Sequence, residues 1–303
     1  MKHLIDKGIS LLKVGDYAGA ASLLQEAARD APENIDILAA LGQVWEKLCE
    51  DQKAGECYRQ ALAVNPTAGK IHQGLARLHL RGPRYLEALG RIHANLRPAT
   101  YVEVGIRNGA SFCLASPEIP AVGIDPNPLI DMEKLPARHV IIRDTSDNYF
   151  QSGRMSSCLS GLPVDLAFID GMHLFEFALR DFIALEKSAH ASATILVHDC
   201  YPLNELTARR KQETPFWSGD VWKLILCLKQ YRQDLKVITL PCPPTGLAVI
   251  TSLDPSSTVL PDSLDAIYNE YISLDFSTIE HDRERKLNLI SLNDALQSLY
   301  LRK

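Results

Sequence analysis

The residues with the most chemical capacity lie in short stretches between positions 103 and 200. Glu103-Val104-Gly105-Ile106-Arg107-Asn108-Gly109 sets a carboxylate ahead of two glycines four apart. Glycine lets backbone approach a ligand closely because no Cβ intervenes, so the spacing predicts a strand end and a turn opening a helix. GIDPNP follows, placing Asp125 about twenty residues after Glu103, where a carboxylate can accept two hydrogen bonds from a ribose diol. The plainer role of Asp125 is a turn aspartate before proline. FIDGMH and HDC then contribute Asp170, His173, His198 and Asp199. An imidazole titrates near neutral pH and can serve as a general base with a carboxylate to orient it. The structural alternative for His173 is a backbone-bonded residue ahead of a helix.

These residues need a scaffold that brings the ends of several strands together. From Thr100 onward the chain reads as apolar runs separated by loops and helices: TYVEVG (100–105), AVGIDP (121–126), HVIIRD (139–144), VDLAFID (164–170), TILVHDC (194–200), KVITLP (236–241) and GLAVITSL (246–253). Near-continuous Val/Ile/Leu content fits strands covered on both faces, hence a parallel sheet in an α/β doubly wound domain. Helices are expected over 174–189 and 220–232. Only CPPT separates the last two runs, too little for a parallel crossover, so those strands must be antiparallel or unpaired.

A mostly parallel sheet of seven strands, closed by an antiparallel last strand beside the sixth, resembles the class I S-adenosylmethionine-dependent methyltransferase fold. The resemblance implies that Glu103, Gly105, Gly109 and Asp125 bind the methyl donor, and that Asp144, in Asp144-Thr145-Ser146 after the third strand, contacts adenine. The plain role of those three residues is a helix N-cap. FIDGMH with HD narrows the resemblance to methyltransferase family 24, which includes catechol-type, cephalosporin- and macrolide-tailoring O-methyltransferases, over about residues 98–255. In metal-dependent relatives, carboxylates after the fourth and fifth strands hold Mg²⁺. Carried over, Asp170 and Asp199 would be ligands, while His198 stands where those relatives have Glu or Asp. Three readings stay open: weak Mg²⁺ binding by two carboxylates; a nitrogen-tolerant Mn²⁺, Fe²⁺ or Zn²⁺; or no metal, with His173 or His198 as base and Asp170 or Asp199 orienting it.

The implied activity is O-methylation of a small molecule or glycan. An NAD-dependent oxidoreductase is the enzymatic rival, and GxxxG in place of GxGxxG argues against it. A non-catalytic adaptor on a methyltransferase-like scaffold is the rival of another class. The segment 201–223 is expected to cover the acceptor. There Arg209, Arg210 and Lys211 either attract an anion or form a solvated face, and Trp217 and Trp222 either wall a pocket or pack the helix start.

The first 97 residues are different. Sliding them against themselves gives a register of 34: Gly8 matches Gly42 and then Ala76, Ala20 matches Ala54 and then Ala88, and Pro32 matches Pro66. Small residues recur where helices cross closely and proline closes each second helix, which resembles the tetratricopeptide repeat over 1–97. Such an array offers a concave surface for a protein partner, or it caps the next domain or forms a homodimer. The tail, 256–303, reads as amphipathic helices around LDAIYNEYI and LISLNDALQSLYL, covering the sheet or dimerising.

Composition bounds the rest. The chain has 303 residues, 46% hydrophobic and 23% charged, with a formal net charge of −5. That fits a folded, multi-domain protein and gives no electrostatic drive toward nucleic acid or an anionic membrane. Apolar runs are too short to span a bilayer and the N-terminus lacks a signal peptide's apolar stretch. The odd count of 7 cysteines, without CxxC, points to buried thiols in a reducing cytoplasm.

Overall fold

The computed structural model describes residues 2–291 and 294. It divides into two compact units, one formed by residues 1–81 with 212–217, the other by 82–211 with 218–303.

In the first unit, helices α1 (Lys2–Val14), α2 (Tyr17–Asp30), α3 (Ile35–Lys47), α4 (Asp51–Val64) and α5 (Gly69–His79) follow one another through short turns. Asp16 and Asn34 cap α2 and α3 by accepting backbone N–H bonds of the first turn. The small residues of the register sit at the crossings. A Cβ on Gly8 would stand 2.7 Å from Leu24 Cγ, and on Gly42 2.3 Å from the ring of Tyr58. Ala20, Leu24, Ala27, Ile37, Leu41 and Val44 form the core. Residues 212–217 belong to this unit: Phe216 stacks on His72 at 5.6 Å, and Thr214 Oγ1 donates to Thr67 O at 3.3 Å.

The second unit opens with α6 (Tyr85–Leu96), whose sequence continues the repeat register. Its Ala88, Leu89 and Ile92 share a core with Tyr101, Phe112, Leu166, Phe168 and Leu196 of the α/β region. Among the described residues the sheet has seven strands: β1 (Tyr101–Val104), β2 (Ala121–Ile124), β3 (His139–Ile142), β4 (Val164–Ile169), β5 (Ala189–His198), β6 (Lys236–Leu240) and β7 (Leu247–Thr251). Their order is β3-β2-β1-β4-β5-β7-β6. Strands β1 to β5 pair in parallel, and β7 inserts antiparallel to both β5 and β6. The short connection between β6 and β7 forces that antiparallel pairing. Order and pairing are those of the class I methyltransferase sheet.

The helices α7 (Ser146–Gln151), α8 (Met155–Cys158), α9 (Phe175–Ser188), α10 (Glu205–Ala208) and α11 (Trp222–Tyr231) connect the strands. One expectation fails here: the glycine turn after β1 opens no α-helix, only a 3₁₀ turn at Phe112–Leu114. Pro117 and Pro120 stop helix growth in this short connection.

Short helices at Val259–Asp262, Leu264–Tyr271, Ser277–Glu280 and Arg283–Lys286 follow β7. The chain then runs along the outer edge of β6, where Thr239 N–H donates to Asn288 O at 2.8 Å and Ile290 N–H to Thr239 O at 2.9 Å. This covers an otherwise unpaired strand edge. The second expected tail helix lies outside the described residues beyond 291, Asp294 excepted. No helix among the described residues is long and apolar enough to cross a membrane. Cys200, Cys227 and Cys242 are buried as expected, Cys57 and Cys158 are partly buried, and Cys49 and Cys113 are exposed.

Candidate active site

Strand ends converge at the carboxyl edge of β1, β2, β4 and β5, and each delivers one of the residues singled out above. Gly105 leaves β1 at φ +85°, and a Cβ there would meet Asp170 O at 2.1 Å. Residue 105 must therefore be glycine for the loop to lie against the end of β4. Gly109, at φ +77°, packs under Ile130. Asp125 Oδ2 accepts Arg107 N–H at 2.8 Å and Oδ1 accepts Asn127 N–H at 2.8 Å. Asp125 thus ties the glycine loop to the end of β2, and each of its oxygens keeps a second lone pair for a ligand.

Glu103 is placed differently from a residue at the rim. It is fully buried inside the strand, where Tyr101 Oη donates to Oε2 at 2.6 Å and Ser111 Oγ to Oε1 at 2.5 Å. A residue inside a strand that is covered on both faces points into a helix layer, so its carboxylate braces the glycine loop from beneath. Burial pushes its pKa up to about 8, although the Ser111 and Tyr101 hydrogen bonds pull the other way. A carboxyl group raised from 4.5 to about 8 binds its proton more tightly folded than unfolded, so its stabilising contribution is present below pH 4.5 and fades as pH rises through 8. Glu103→Gln, which cannot ionise, is expected to flatten the fall of the thermal midpoint between about pH 5 and pH 8. Calorimetric melts across that range check this, and an unchanged slope would contradict it.

Asp144 accepts Thr145 N–H and Asn148 Nδ2, each at 2.8 Å, while Thr145 caps α7 by accepting Asn148 N–H. The capping role of this tripeptide is therefore realised by Thr145, with Asp144 supporting it.

Asp170, His173, His198 and Asp199 do come together. His198 Nδ1 lies 3.1 Å from Asp170 Oδ1 and 3.3 Å from Asp199 Oδ2, and Nε2 lies 3.4 Å from Thr245 Oγ1. His173 Nδ1 lies 3.1 Å from Asp199 Oδ2, and Nε2 3.6 Å from Asp170 Oδ1. Burial disfavours a charged His198, but Asp199 and Asp170 outweigh it and lift its pKa to about 10. The same attraction, from His173 and His198, overcomes burial and holds Asp199 well below the usual carboxylate range. The two imidazoles are not equivalent. The His198 side chain is 8% exposed with both nitrogens engaged, whereas that of His173 is 26% exposed at the mouth of the cleft. His198 is thus the inner, charge-balancing member and His173 the one a ligand can reach.

Two of these residues hold left-handed backbone, His173 and Asp199, both at φ +56°. Such strain persists only where surrounding structure imposes it. For His173 the surroundings are Gly219 and Asp220. Asp220 N–H donates to His173 O at 3.2 Å, and Asp220 Oδ1 accepts Phe175 N–H at 2.8 Å. A Cβ on Gly219 would lie 1.8 Å from His173 O. Asp220 is in turn held by Arg210, at 2.7 Å, and Lys223, at 3.0 Å, and Arg210 also pairs with Glu176. Arg210 is therefore a structural clip and not the anion attractor considered from sequence. Trp222, 1% exposed, packs against Phe276, the second of the two roles considered for it.

The cleft is lined by Asp170, His173, His198 and Asp199 and also by Met172, Ala178, Val221 and Asp181. Sequence reasoning missed Asp181, which is 2% exposed and whose pKa is pushed up to about 7 by burial. Its signal was available: it falls on the apolar stripe of α9 among Ala178, Phe182 and Leu185. Tyr85 was missed as well. Its ring lies 4.2 Å from that of His198, and its hydroxyl is pushed up to about 12 by burial and then by Asp170, Asp199 and Glu103. Asp170, His173 and Asp199 each offer a donor atom, all within 4.8 Å of one another, a set that could hold a divalent cation. One imidazole with two carboxylates suits Mn²⁺, Fe²⁺ or Zn²⁺ better than Mg²⁺.

Comparison with known proteins adds three findings. Residues 102–200 match the family model described as a methyltransferase domain, and residues 11–78 match that of the tetratricopeptide repeat. No curated protein matches the chain. Similar solved structures include cofactor-bound Rv0187 from MTB, with 15% identity, a TM-score of 0.44, and coverage of 55% of this chain and 79% of that one. Another is the O-methyltransferase TomG from Streptomyces achromogenes, involved in tomaymycin synthesis and in complex with SAM, with 12% identity, a TM-score of 0.42, and coverage of 56% and 80%.

Proposed function

We propose that this chain, which matches the tetratricopeptide-repeat model over 11–78 and the methyltransferase-domain model over 102–200, transfers a methyl group from S-adenosylmethionine to a hydroxyl oxygen of a small molecule or glycan. The observation that carries this reading is the convergence of two carboxylates and two imidazoles beside the glycine loop at the carboxyl edge of the sheet. Ligands of open α/β sheets bind at that edge.

The donor is a sulfonium and already activated, so the protein must align acceptor and methyl and dispose of one proton. The acceptor oxygen attacks the methyl carbon, the carbon–sulfur bond breaks with its electron pair passing to sulfur, and S-adenosylhomocysteine leaves. His173 takes the hydroxyl proton, and Asp199, 3.1 Å from its Nδ1, stabilises the imidazolium. His198 balances the charge of Asp170 and Asp199 and keeps both carboxylates in place. Gly105, Gly109 and Asp125 hold the donor, Asp125 through the ribose hydroxyls. A divalent ion, if held by Asp170, His173 and Asp199, would take the place of His173 as base, supplying Lewis-acid polarisation of the acceptor oxygen. The repeats are assigned to a protein partner, since stacked helix pairs present a surface suited to an extended peptide.

Calorimetric titration tests the donor assignment. S-adenosylmethionine is expected to bind in the micromolar range, with NAD giving no heat. Asp125→Ala should weaken that binding by about 1–3 kcal/mol, the cost of losing a charge-assisted partner. Binding of NAD alone, or undiminished donor affinity in the variant, would count against the assignment.

A further inference from the structure

Tyr85 opens the helix whose sequence belongs to the repeat register, yet its ring covers the imidazole of His198, with centroids 4.2 Å apart and planes tilted by 33°. Two backbone hydrogen bonds bring it there. Gly82 N–H donates to Pro241 O at 2.8 Å and Tyr85 N–H to Pro243 O at 3.4 Å. The first allows no side chain at residue 82, because a Cβ would stand 2.6 Å from Pro241 O. The β6–β7 connection therefore serves the site twice. Its first residues receive 82–85, and Thr245, further along, reaches His198 Nε2.

The remaining directions around His198 are already taken. Asp170 and Asp199 hold Nδ1, Thr245 holds Nε2, and Phe168 meets the ring edge-on at 6.3 Å. Hydrogen bonds in the plane of an imidazole fix its rotation but leave it able to tilt. A ring packed on its face removes that freedom, as site geometry requires of the groups behind a reactive residue.

We propose that Tyr85 is a positioning residue of this cluster: its ring fixes the tilt of His198, and through His198 the two carboxylates that face His173. The methyl-transfer reading is needed only to say what the cluster does; the positioning role holds for any reaction run there. A catalytic fragment cut at residue 98, where the repeat-like sequence ends, would lack this residue.

Hydrogen–deuterium exchange at the imidazole C2 position of each histidine, read by mass spectrometry on the full chain, tests the proposal, because the rate follows each ring's access to solvent. Tyr85→Met is expected to speed exchange at His198 at least threefold, while Tyr85→Phe matches the wild type. His72 and His139, buried elsewhere, should keep their rates in both variants. A general loosening would move all three histidines together. If Tyr85→Met does not fold, Tyr85→Trp replaces it, since the larger ring must displace the imidazole and change the His198 rate alone. An unchanged His198, or equal acceleration at all three positions, overturns the proposal. Donor titration of the same samples separates the two readings: a wild type that binds no S-adenosylmethionine fails the methyltransferase reading and leaves the exchange result standing.

Discussion

Replacing Gly105 with alanine is expected to cost about 2–5 kcal/mol of folding stability, the sum of left-handed backbone strain and overpacking, and to reduce donor affinity at least tenfold. Two independent features meet at this residue. Its φ is +85°, which a side chain opposes. Its absent Cβ is also the space occupied by Asp170 O, 2.1 Å from where that atom would be. The carbonyl cannot retreat easily, because Asp170 N–H is bonded to Val104 O at 2.8 Å and Gly105 N–H to Ile124 O at 2.8 Å. An added methyl must therefore push the end of β4 away from β1, and Asp170 moves with it. Denaturant unfolding and donor titration of Gly105→Ala check both parts. Wild-type values in both would mean that the glycine loop is not set as described.

Asp199→Asn is expected to lower turnover by about 10²–10⁴-fold, the usual worth of a positioned acid–base group, while leaving donor affinity within about twofold. The substitution is nearly isosteric, and asparagine tolerates the left-handed backbone at φ +56°. What it removes is charge. Asp199 faces both His173 and His198, at 3.1 and 3.3 Å, and without its carboxylate neither imidazolium is stabilised from that side. The base would then be weaker and the inner histidine poorly balanced. Release of S-adenosylhomocysteine, measured with an acceptor that supports wild-type turnover, is the readout. Full activity in Asp199→Asn would remove the cluster from the mechanism.

Much of this site is legible in the residues themselves. Val/Ile/Leu runs mark each strand, and the few residues between the sixth and seventh dictate antiparallel pairing, because chain length alone forbids a crossover. Gly105, Asp125, Asp170 and Asp199 follow their strands at once, so strand order carries them to one edge. The register of 34 places the repeat helices for the same local reason, small residues recurring at crossings.

Other features depend on contacts between positions far apart in the chain, which periodicity does not encode. Residue 103 reads as a rim carboxylate until both faces of β1 are seen to be covered, which turns Glu103 inward to Tyr101 and Ser111. FIDGMH and HDC offer two histidines on equal terms. Only packing decides between them, by enclosing His198 among Asp170, Asp199, Thr245 and Tyr85 while leaving His173 at the cleft mouth. Tyr85 itself carries the signature of a repeat helix, and Phe216 that of an acceptor loop. Tyr85 nevertheless lies with the cluster of the α/β unit, and Phe216 stacks on His72 among the repeats. Local pattern determined which elements form and in what order. The choice of side chains that meet belonged to the tertiary structure, because burial and hydrogen bonding are settled by whichever distant segments fill the remaining space.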